Sequence, residues 1–107
     1  MIKIEQYQDE DGDIPFRAWF GKLRDVVAKA AIAKRIDRLE LGNFGSCRAV
    51  GNGVTELKID VGPGYRVYVA QHGEKLVILL CGGNKSTQSK DIELARKNWV
   101  DWKRRHK

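Results

Sequence analysis

The chain has 107 residues and a formal net charge of +6, and 32% of its residues are charged. This length supports one hydrophobic core and excludes a second, so we expect a single domain over residues 1–107. The sequence lacks an apolar run of the ~18 to 20 residues that a membrane helix needs, and its N-terminus is acidic where a signal peptide is basic and then apolar. It therefore predicts a cytoplasmic protein without a membrane partner.

The N-terminal third predicts a strand and two helices. Ile2, Ile4 and Tyr7 alternate approximately, which indicates a strand, and a polar turn over residues 9–13 follows. Asp13 is the predicted N-cap of the first helix, with Pro15 in its first turn. One apolar stripe at helical spacing is expected to face the core. It comprises Phe16, Trp19, Phe20, Leu23 and Val26 or Val27.

A second helix is predicted from Ala30 to Leu41, with Gly42 as its stop. Ile32, Ile36 and Leu39 form its apolar side, and Lys34, Arg35 and Arg38 lie on the other side. The two helical stretches have no Gly or Pro between them, so the pattern allows a helical hairpin or one bent helix. The hairpin is favoured because 28 continuous helical residues would overrun a domain of this size.

The middle of the chain predicts an antiparallel meander. Residues 47–50 suit a short edge strand. In residues 54–61, apolar and charged side chains alternate, which is typical of a half-buried strand. After a Gly-Pro-Gly turn, residues 65–69 alternate in the same way. Because paired strands share their faces, Glu56, Lys58, Arg66 and Tyr68 are expected to meet on one polar surface.

The last third predicts a buried strand and a final helix. Residues 76–81 are apolar throughout, as in a central strand, and the loop over residues 82–87 brings Lys85 to the edge of the sheet. A helix then runs from about Ser89 to Trp102 and ends in a basic stretch, residues 103–107, that complements the helix dipole.

Together these elements predict an α+β fold: a small antiparallel sheet with two N-terminal helices packed on one face, and a C-terminal helix. The other face is expected to present Glu56, Lys58, Arg66 and Tyr68, with Arg48 and Lys85 at its rim.

The charge distribution favours an anionic partner. Residues 1–13 hold one lysine and five acids, a local charge of −4, so residues 14–107 carry +10. A basic body suits a polyanion or an acidic partner, although a merely solvated lysine-rich surface is the alternative. Cys47 and Cys81 lack a C-x-x-C spacing, and the two histidines lack a ligand spacing. We therefore expect no metal, no other cofactor, and cysteines that are structural or incidental.

Several segments carry a family resemblance that runs in order from about Ile2 to Trp99. They are PFRAWFGKLRD, LGNFGSCRAVGNGV, GVTELKID, GPGYRVYV and LLCGGNKSTQSKDI. They resemble the addiction-module killer proteins, the HigB-like, phage-derived (Gp49-like) branch of the RelE/ParE superfamily of type II toxins. The resemblance implies a RelE-like fold and a toxin that a cognate helix-turn-helix antitoxin neutralises, with operator DNA bound only through that antitoxin.

The resemblance also implies a site and an activity, which is ribosome-dependent cleavage of mRNA without a metal. Such cleavage needs a base for the 2′-hydroxyl, cations at the phosphate and an acid for the leaving 5′-oxygen. By position, Arg66 is expected to clamp the phosphate, Lys85 to act as acid or charge stabiliser, and Lys58 with Glu56 to supply or orient the base. The expected RNA-binding residues are Arg48, Tyr68, Lys34, Arg35 and Arg38, with Tyr68 stacking on a base.

Two further interpretations stay open. A toxin of the same fold can poison DNA gyrase through surface contacts, as ParE-like relatives do, and would then tolerate loss of Lys58 and Lys85. An inactive toxin can instead act with its antitoxin to regulate their operon. For each site residue, the ordinary alternative is a cross-strand ion pair, such as Glu56 with Lys58 or Arg66, which contributes only ~0.2 to 1 kcal/mol when exposed.

Overall fold

The computed structural model describes residues 1–106 as one five-stranded sheet between three helices. Lys107, the last cation of the predicted basic end, lies outside the described residues. The strands are β1 (Lys3–Gln6), β2 (Cys47–Ala49), β3 (Val54–Ile59), β4 (Tyr65–His72) and β5 (Leu76–Asn84). The helices are α1 (Pro15–Lys22), α2 (Val26–Glu40) and α3 (Gln88–Arg105), with a 3₁₀ turn over Lys85–Thr87 before α3. Within residues 1–106, every helix is too short or too polar to cross a membrane.

The strand order is β1-β5-β4-β3-β2, and the four C-terminal strands form the predicted antiparallel meander. The predicted α+β class is confirmed, and the architecture is consistent with a RelE-like fold. One strand departs from the antiparallel expectation, because β1 pairs in parallel with β5. The chain passes through both N-terminal helices before it returns to the sheet, and such a crossover is what a parallel pair requires.

The helices α1 and α2 cover one face of the sheet, as predicted. Phe16 of α1 and Ile32 and Leu39 of α2 are buried there against Leu57 of β3 and Val67 of β4. The helical hairpin is also confirmed, since Leu23 ends α1 and Asp25 caps α2 by accepting a hydrogen bond from the backbone N–H of Ala28 at 3.0 Å. The Gly42 stop is confirmed as well, with φ of +83° directly after the C-cap of α2.

Two details of the helical prediction are wrong. Ile14 is the N-cap of α1, and Asp13 does not cap it because its backbone is held in the preceding turn by Asp9. The second helix starts at Val26, four residues earlier than expected, because Asp25 caps it. Val26 and Val27 therefore lie on the outer side of α2, where they are 77% and 67% exposed, and they do not extend the apolar stripe of α1.

The second face of the sheet is also covered, which contradicts the expectation of an open polar face. The helix α3 lies across it and buries Ala95, Trp99 and Trp102 against Tyr68 of β4 and Leu80 of β5. A sheet covered on both faces explains why β5 is apolar along its length. The end of this face where β2, β3 and β4 approach the start of α3 retains a group of charged side chains.

Two adjacent glycines let α1 and α3 approach opposite faces of β5. The strand continues through Gly82 and Gly83, where a loop was predicted, because both residues pair with β4. A Cβ on Gly82 would overlap the ring of Trp19, and a Cβ on Gly83 would overlap the carboxylate of Asp91. The absence of these two side chains therefore sets how closely the helices pack.

We predict that Gly83→Ala lowers the free energy of unfolding by about 1–3 kcal/mol, because the new methyl group forces Asp91 and the start of α3 to shift. Urea unfolding measures the change. Gly21→Ala is the matched control: its Cβ meets nothing within 4 Å, and alanine in a helix is expected to stabilise by about 0.5–1 kcal/mol. Equal stabilities of the two variants would contradict this packing.

Candidate functional site

A cleft of about 250 Å³ opens where β2, β3 and β4 meet the first residue of α3. Its lining is mostly polar and includes three cations and one carboxylate. The lining residues are Ser46, Cys47, Arg48, Glu56, Lys58, Arg66 and Gln88. Four of the nine predicted site residues thus lie together, and the strand register explains why: Arg48 is opposite Glu56, and Lys58 is opposite Arg66.

Glu56 is the centre of the hydrogen bonding in this cleft. Its side chain is only 3% exposed. Oε1 accepts a hydrogen bond from Nε of Arg48 at 2.9 Å. Oε2 accepts from the hydroxyl of Tyr68 at 3.0 Å and from Nε2 of Gln88 at 2.9 Å. The carboxylate therefore joins β2, β4 and α3 to β3.

The pKa of Glu56 lies below its ordinary value. Burial raises this pKa, but the hydrogen bonds from Arg48, Gln88 and Tyr68 together outweigh burial and lower it. Glu56 is thus ionised at neutral pH, and both oxygens already have donors. A carboxylate in this state is a weak base, so the geometry fits an orienting role for Glu56 better than direct proton abstraction.

Arg66 is the most buried cation of the cleft, at 6% exposed. Its Nη1 donates to the backbone carbonyl of Gly64 at 2.7 Å. Its Nε is buried without a hydrogen-bond partner and lies 3.9 Å from Oε2 of Glu56. The guanidinium is therefore held in place between the carbonyl of Gly64 and the carboxylate of Glu56, while the residue lines the cleft.

Lys58 adds a second cation directly across the strand pair from Arg66. Its side chain is half exposed, and Nζ lies 3.5 Å from the exposed carboxylate of Asp60. Like charges on opposite residues of paired strands destabilise a sheet. With Arg48, the cleft lining carries three cations and one carboxylate. This excess of positive charge suits a bound anion such as a phosphate.

Tyr68 does not fit the base-stacking role predicted for it. Its ring is fully buried beneath α3, and its hydroxyl donates to Glu56. Burial, followed by the charge and the hydrogen bond of Glu56, raises the pKa of Tyr68 well above its ordinary value, so the hydroxyl stays a donor. Tyr68 therefore holds the carboxylate of Glu56 through its hydroxyl, and its buried ring is not accessible to a ligand.

Lys85 lies beside the cleft, outside its lining. It is exposed in the 3₁₀ turn after β5 and lines a neighbouring groove of about 400 Å³. The other residues of this groove are Ser86, Thr87, Gln88, Ser89 and Lys90. Gln88 lines both the cleft and the groove. Lys85 thus lies next to the cleft, directly after the end of β5.

The three cations of α2 are placed differently. Lys34 and Arg38 are exposed on a shallow groove of about 220 Å³ between α2 and the end of β3. Arg35 lines the same groove, but its guanidinium donates to the backbone carbonyls of Lys58, Phe44 and Ser46 at 2.5, 2.8 and 2.9 Å. These bonds anchor the segment before β2 to α2, so Arg35 has a structural role where an RNA contact was predicted.

Sequence reasoning missed Gln88. Its amide reaches Glu56 although 32 positions separate the two residues. The predicted helix began at about Ser89, so Gln88 was assigned to the loop. The helix actually begins at Gln88, whose side chain points back to the sheet. The tertiary approach of α3 decides this contact, and the local sequence pattern carries no signal for it.

A separate group of carboxylates lies in the turn after β1. Asp9, Asp11 and Asp13 place oxygen atoms within 4.8 Å of one another. Oδ1 of Asp9 accepts hydrogen bonds from the backbone N–H groups of Asp11 and Asp13. This arrangement is a self-stabilised Asx turn, which accounts for the closeness of the three side chains.

The fold and the cleft define an α+β protein with a cationic site at one end of its sheet. Residues 18–100, which include every cleft residue, match the family described as phage-derived protein Gp49-like. A relative from Haemophilus influenzae (strain Rd), described as "Uncharacterized protein", is 53% identical over 83 residues, which cover 78% of this chain and 84% of the relative. The chain belongs to the phage-derived Gp49-like family.

We predict that Glu56→Gln lowers the free energy of unfolding by about 1–3 kcal/mol at pH 7, because Arg48 and Arg66 lose an ionised partner. The pKa of Glu56 is lower in the folded state than in the unfolded state. Ionised Glu56 therefore makes its full contribution to the free energy of unfolding above the unfolded-state pKa of about 4.3. This contribution is lost as the pH falls through the folded-state pKa. The difference between the two proteins should therefore narrow below about pH 4. Unfolding measured as a function of pH tests this, with the exposed Glu93→Gln as control. A difference that stays constant down to about pH 3 would contradict it.

We predict that Arg35→Met speeds amide hydrogen exchange over residues 44–49, which comprise β2 and the segment before it. The free energy of unfolding should fall by about 1–3 kcal/mol, because three carbonyls lose the hydrogen bond from the guanidinium. Lys34→Met, at the exposed neighbouring position, should leave both properties unchanged. Equal exchange in the two variants would mean that β2 is held by its pairing with β3 alone.

Proposed function

We propose that this chain is the toxin of a type II toxin–antitoxin module, and that it cleaves mRNA on the ribosome without a metal. The observation that carries the proposal is the cleft: Arg66 and Lys58 face each other across the strand pair, beside the buried carboxylate of Glu56. Membership in the phage-derived family agrees with such a module. The resemblance of several segments to HigB-like killer proteins supports mRNA cleavage as the activity.

In the proposed complex, the scissile phosphate lies in the cleft. Arg66 is the phosphate clamp, because its guanidinium is fixed by the carbonyl of Gly64 and the residue lines the cleft. Arg48 and Lys58 reach the same cleft from the neighbouring strands. A buried, preorganised guanidinium stabilises the charge that develops on a phosphate more strongly than a mobile surface cation does.

Cleavage then proceeds by attack of the RNA 2′-oxygen on the adjacent phosphorus. The proton of the 2′-hydroxyl leaves to a base, and the departing 5′-oxygen receives a proton. Lys58, whose side chain is half exposed in the cleft, is the candidate for the first step as a neutral amine, and Lys85 at the rim supplies charge or a proton at the leaving oxygen. Glu56 acts through Arg48, Arg66 and Gln88, which it orients.

The partners follow from the same proposal. A helix-turn-helix antitoxin neutralises the toxin, and the pair binds operator DNA through the antitoxin. The substrate is mRNA held by the ribosome, which places the protein in the cytoplasm. The basic body of the chain, with +10 outside residues 1–13, favours both RNA and an acidic segment of a partner.

Gyrase poisoning is the second candidate, and the outer side of α2 favours it. Val26 and Val27 are exposed at adjacent positions in the first turn of α2, and an exposed apolar pair offers a contact to another protein. A toxin that acts through this surface would lose activity on Val27→Asp and keep it when the cleft cations are removed.

We predict that induced expression of the chain without an antitoxin arrests growth and produces new 5′ ends within translated messages. Arg66→Ala should reduce cleavage by about 100-fold or more, and Lys58→Ala or Lys85→Ala by about 10- to 100-fold, because each removes a cation from the phosphate. Mapping of RNA ends in induced cells measures these effects.

Lys75→Ala is the control, since Lys75 is an exposed lysine at the other end of β5. Circular dichroism of each purified variant, and Arg66→Lys as a charge-preserving change, separate loss of the site from loss of the fold. Arrest with intact messages, abolished by Val27→Asp, would establish the gyrase alternative. No arrest at all would indicate a regulatory or inactive protein.

A further inference from the structure

Gln88 stands between the cationic cleft and the neighbouring groove over Lys85–Lys90. It is the residue that the two cavities share among the described residues. The groove of about 400 Å³ is large enough for a nucleotide and is lined by hydroxyl groups and two lysines. If a phosphate occupies the cleft, a nucleotide attached to it reaches the groove past the side chain of Gln88.

The orientation of the Gln88 amide follows from its partner. Glu56 is ionised and can only accept hydrogen bonds, so the amide must turn its NH₂ group toward Oε2, at 2.9 Å. The amide is planar, and its carbonyl oxygen therefore points away from Glu56. No donor among residues 1–106 bonds to this oxygen, and it is not among the buried unpaired atoms, so it stays accessible to a ligand on a residue that lines both cavities.

A fixed acceptor distinguishes between nucleobases. Adenine and cytosine carry an exocyclic amino group that donates a hydrogen bond, whereas guanine and uracil carry a carbonyl oxygen at the corresponding position. A carbonyl opposite Oε1 of Gln88 would leave two acceptors facing each other. In contrast, a flexible glutamine without Glu56 would rotate its amide and accept either kind of base.

We propose that Gln88 determines base specificity, and that its carbonyl oxygen selects a nucleotide whose amino group lies at purine C6 or pyrimidine C4, adenine or cytosine, next to the phosphate in the cleft. This inference rests on the proposed RNA-cleaving function. Glu56 is then the positioning residue for recognition, because its charge fixes which end of the amide meets the base. The cleft binds the phosphate of any sequence, and Gln88 adds the preference.

The test uses single-stranded RNA oligonucleotides that differ only in cytosine or uracil beside the cut, a pair that exchanges amino for carbonyl on one ring. Cleavage is measured on ribosomes carrying these sequences. Binding is measured by fluorescence anisotropy on the free protein, with a 2′-deoxy nucleotide at the cut so that no cleavage occurs. The wild type should favour cytosine by about 3- to 10-fold in both measurements, as one hydrogen bond allows.

Two variants separate the roles of the amide. Gln88→Lys keeps a donor for Glu56 but replaces the acceptor by a donor, so the preference should invert toward uracil. Gln88→Met removes both groups, so the two oligonucleotides should become equivalent. Glu93→Gln, an exposed change one turn further along α3, should keep the wild-type preference.

A wild-type preference that persists in both Gln88 variants would overturn the assignment while leaving RNA cleavage intact. The assignment would also be overturned if the wild type bound and cleaved the cytosine and uracil oligonucleotides to the same extent. A wild type that neither binds nor cleaves either oligonucleotide would overturn the proposed function, and the specificity with it.

Discussion

The carboxylate of Glu56 is the constraint on which the site depends. An ionised carboxyl group is costly to bury unless it is paired and hydrogen-bonded, and here three donors from three different elements satisfy it. Arg48 comes from the short edge strand, Tyr68 from the centre of the sheet and Gln88 from the start of α3. The positions of all three are coupled, because each completes the coordination of the same two oxygens.

This arrangement leaves positive charge unbalanced at one end of the sheet. One carboxylate faces three cations, and two of these, Lys58 and Arg66, are opposed across a strand pair where like charges destabilise. Local conflicts of this kind are expected at functional sites. Packing in the rest of the molecule offsets this repulsion. Helices cover both faces of the sheet, and Arg35 anchors the segment that leads into β2. A bound anion would relieve the repulsion.

The sequence predicted those parts of the site that depend on strand alternation. Glu56, Lys58 and Arg66 share one surface because β3 and β4 are joined by a tight turn, and that turn determines their register. It did not predict which side chains α3 would cover, so Tyr68 was taken for an exposed ring. The structural role of Arg35 and the contact of Gln88 were not predicted for the same reason, since their partners lie 9 to 32 positions away and are brought near only by tertiary packing.

Binding of RNA in the cleft is the central claim, and amide chemical shifts measured by NMR test it most directly. The probe is a short single-stranded RNA with a 2′-deoxy nucleotide at the cut, added to the isotope-labelled chain. We predict shifts concentrated at residues 46–48, 56–58, 64–66 and 85–88, with smaller effects at high salt because phosphate contacts dominate. Shifts centred on the outer side of α2, or no shifts at all, would contradict the claim.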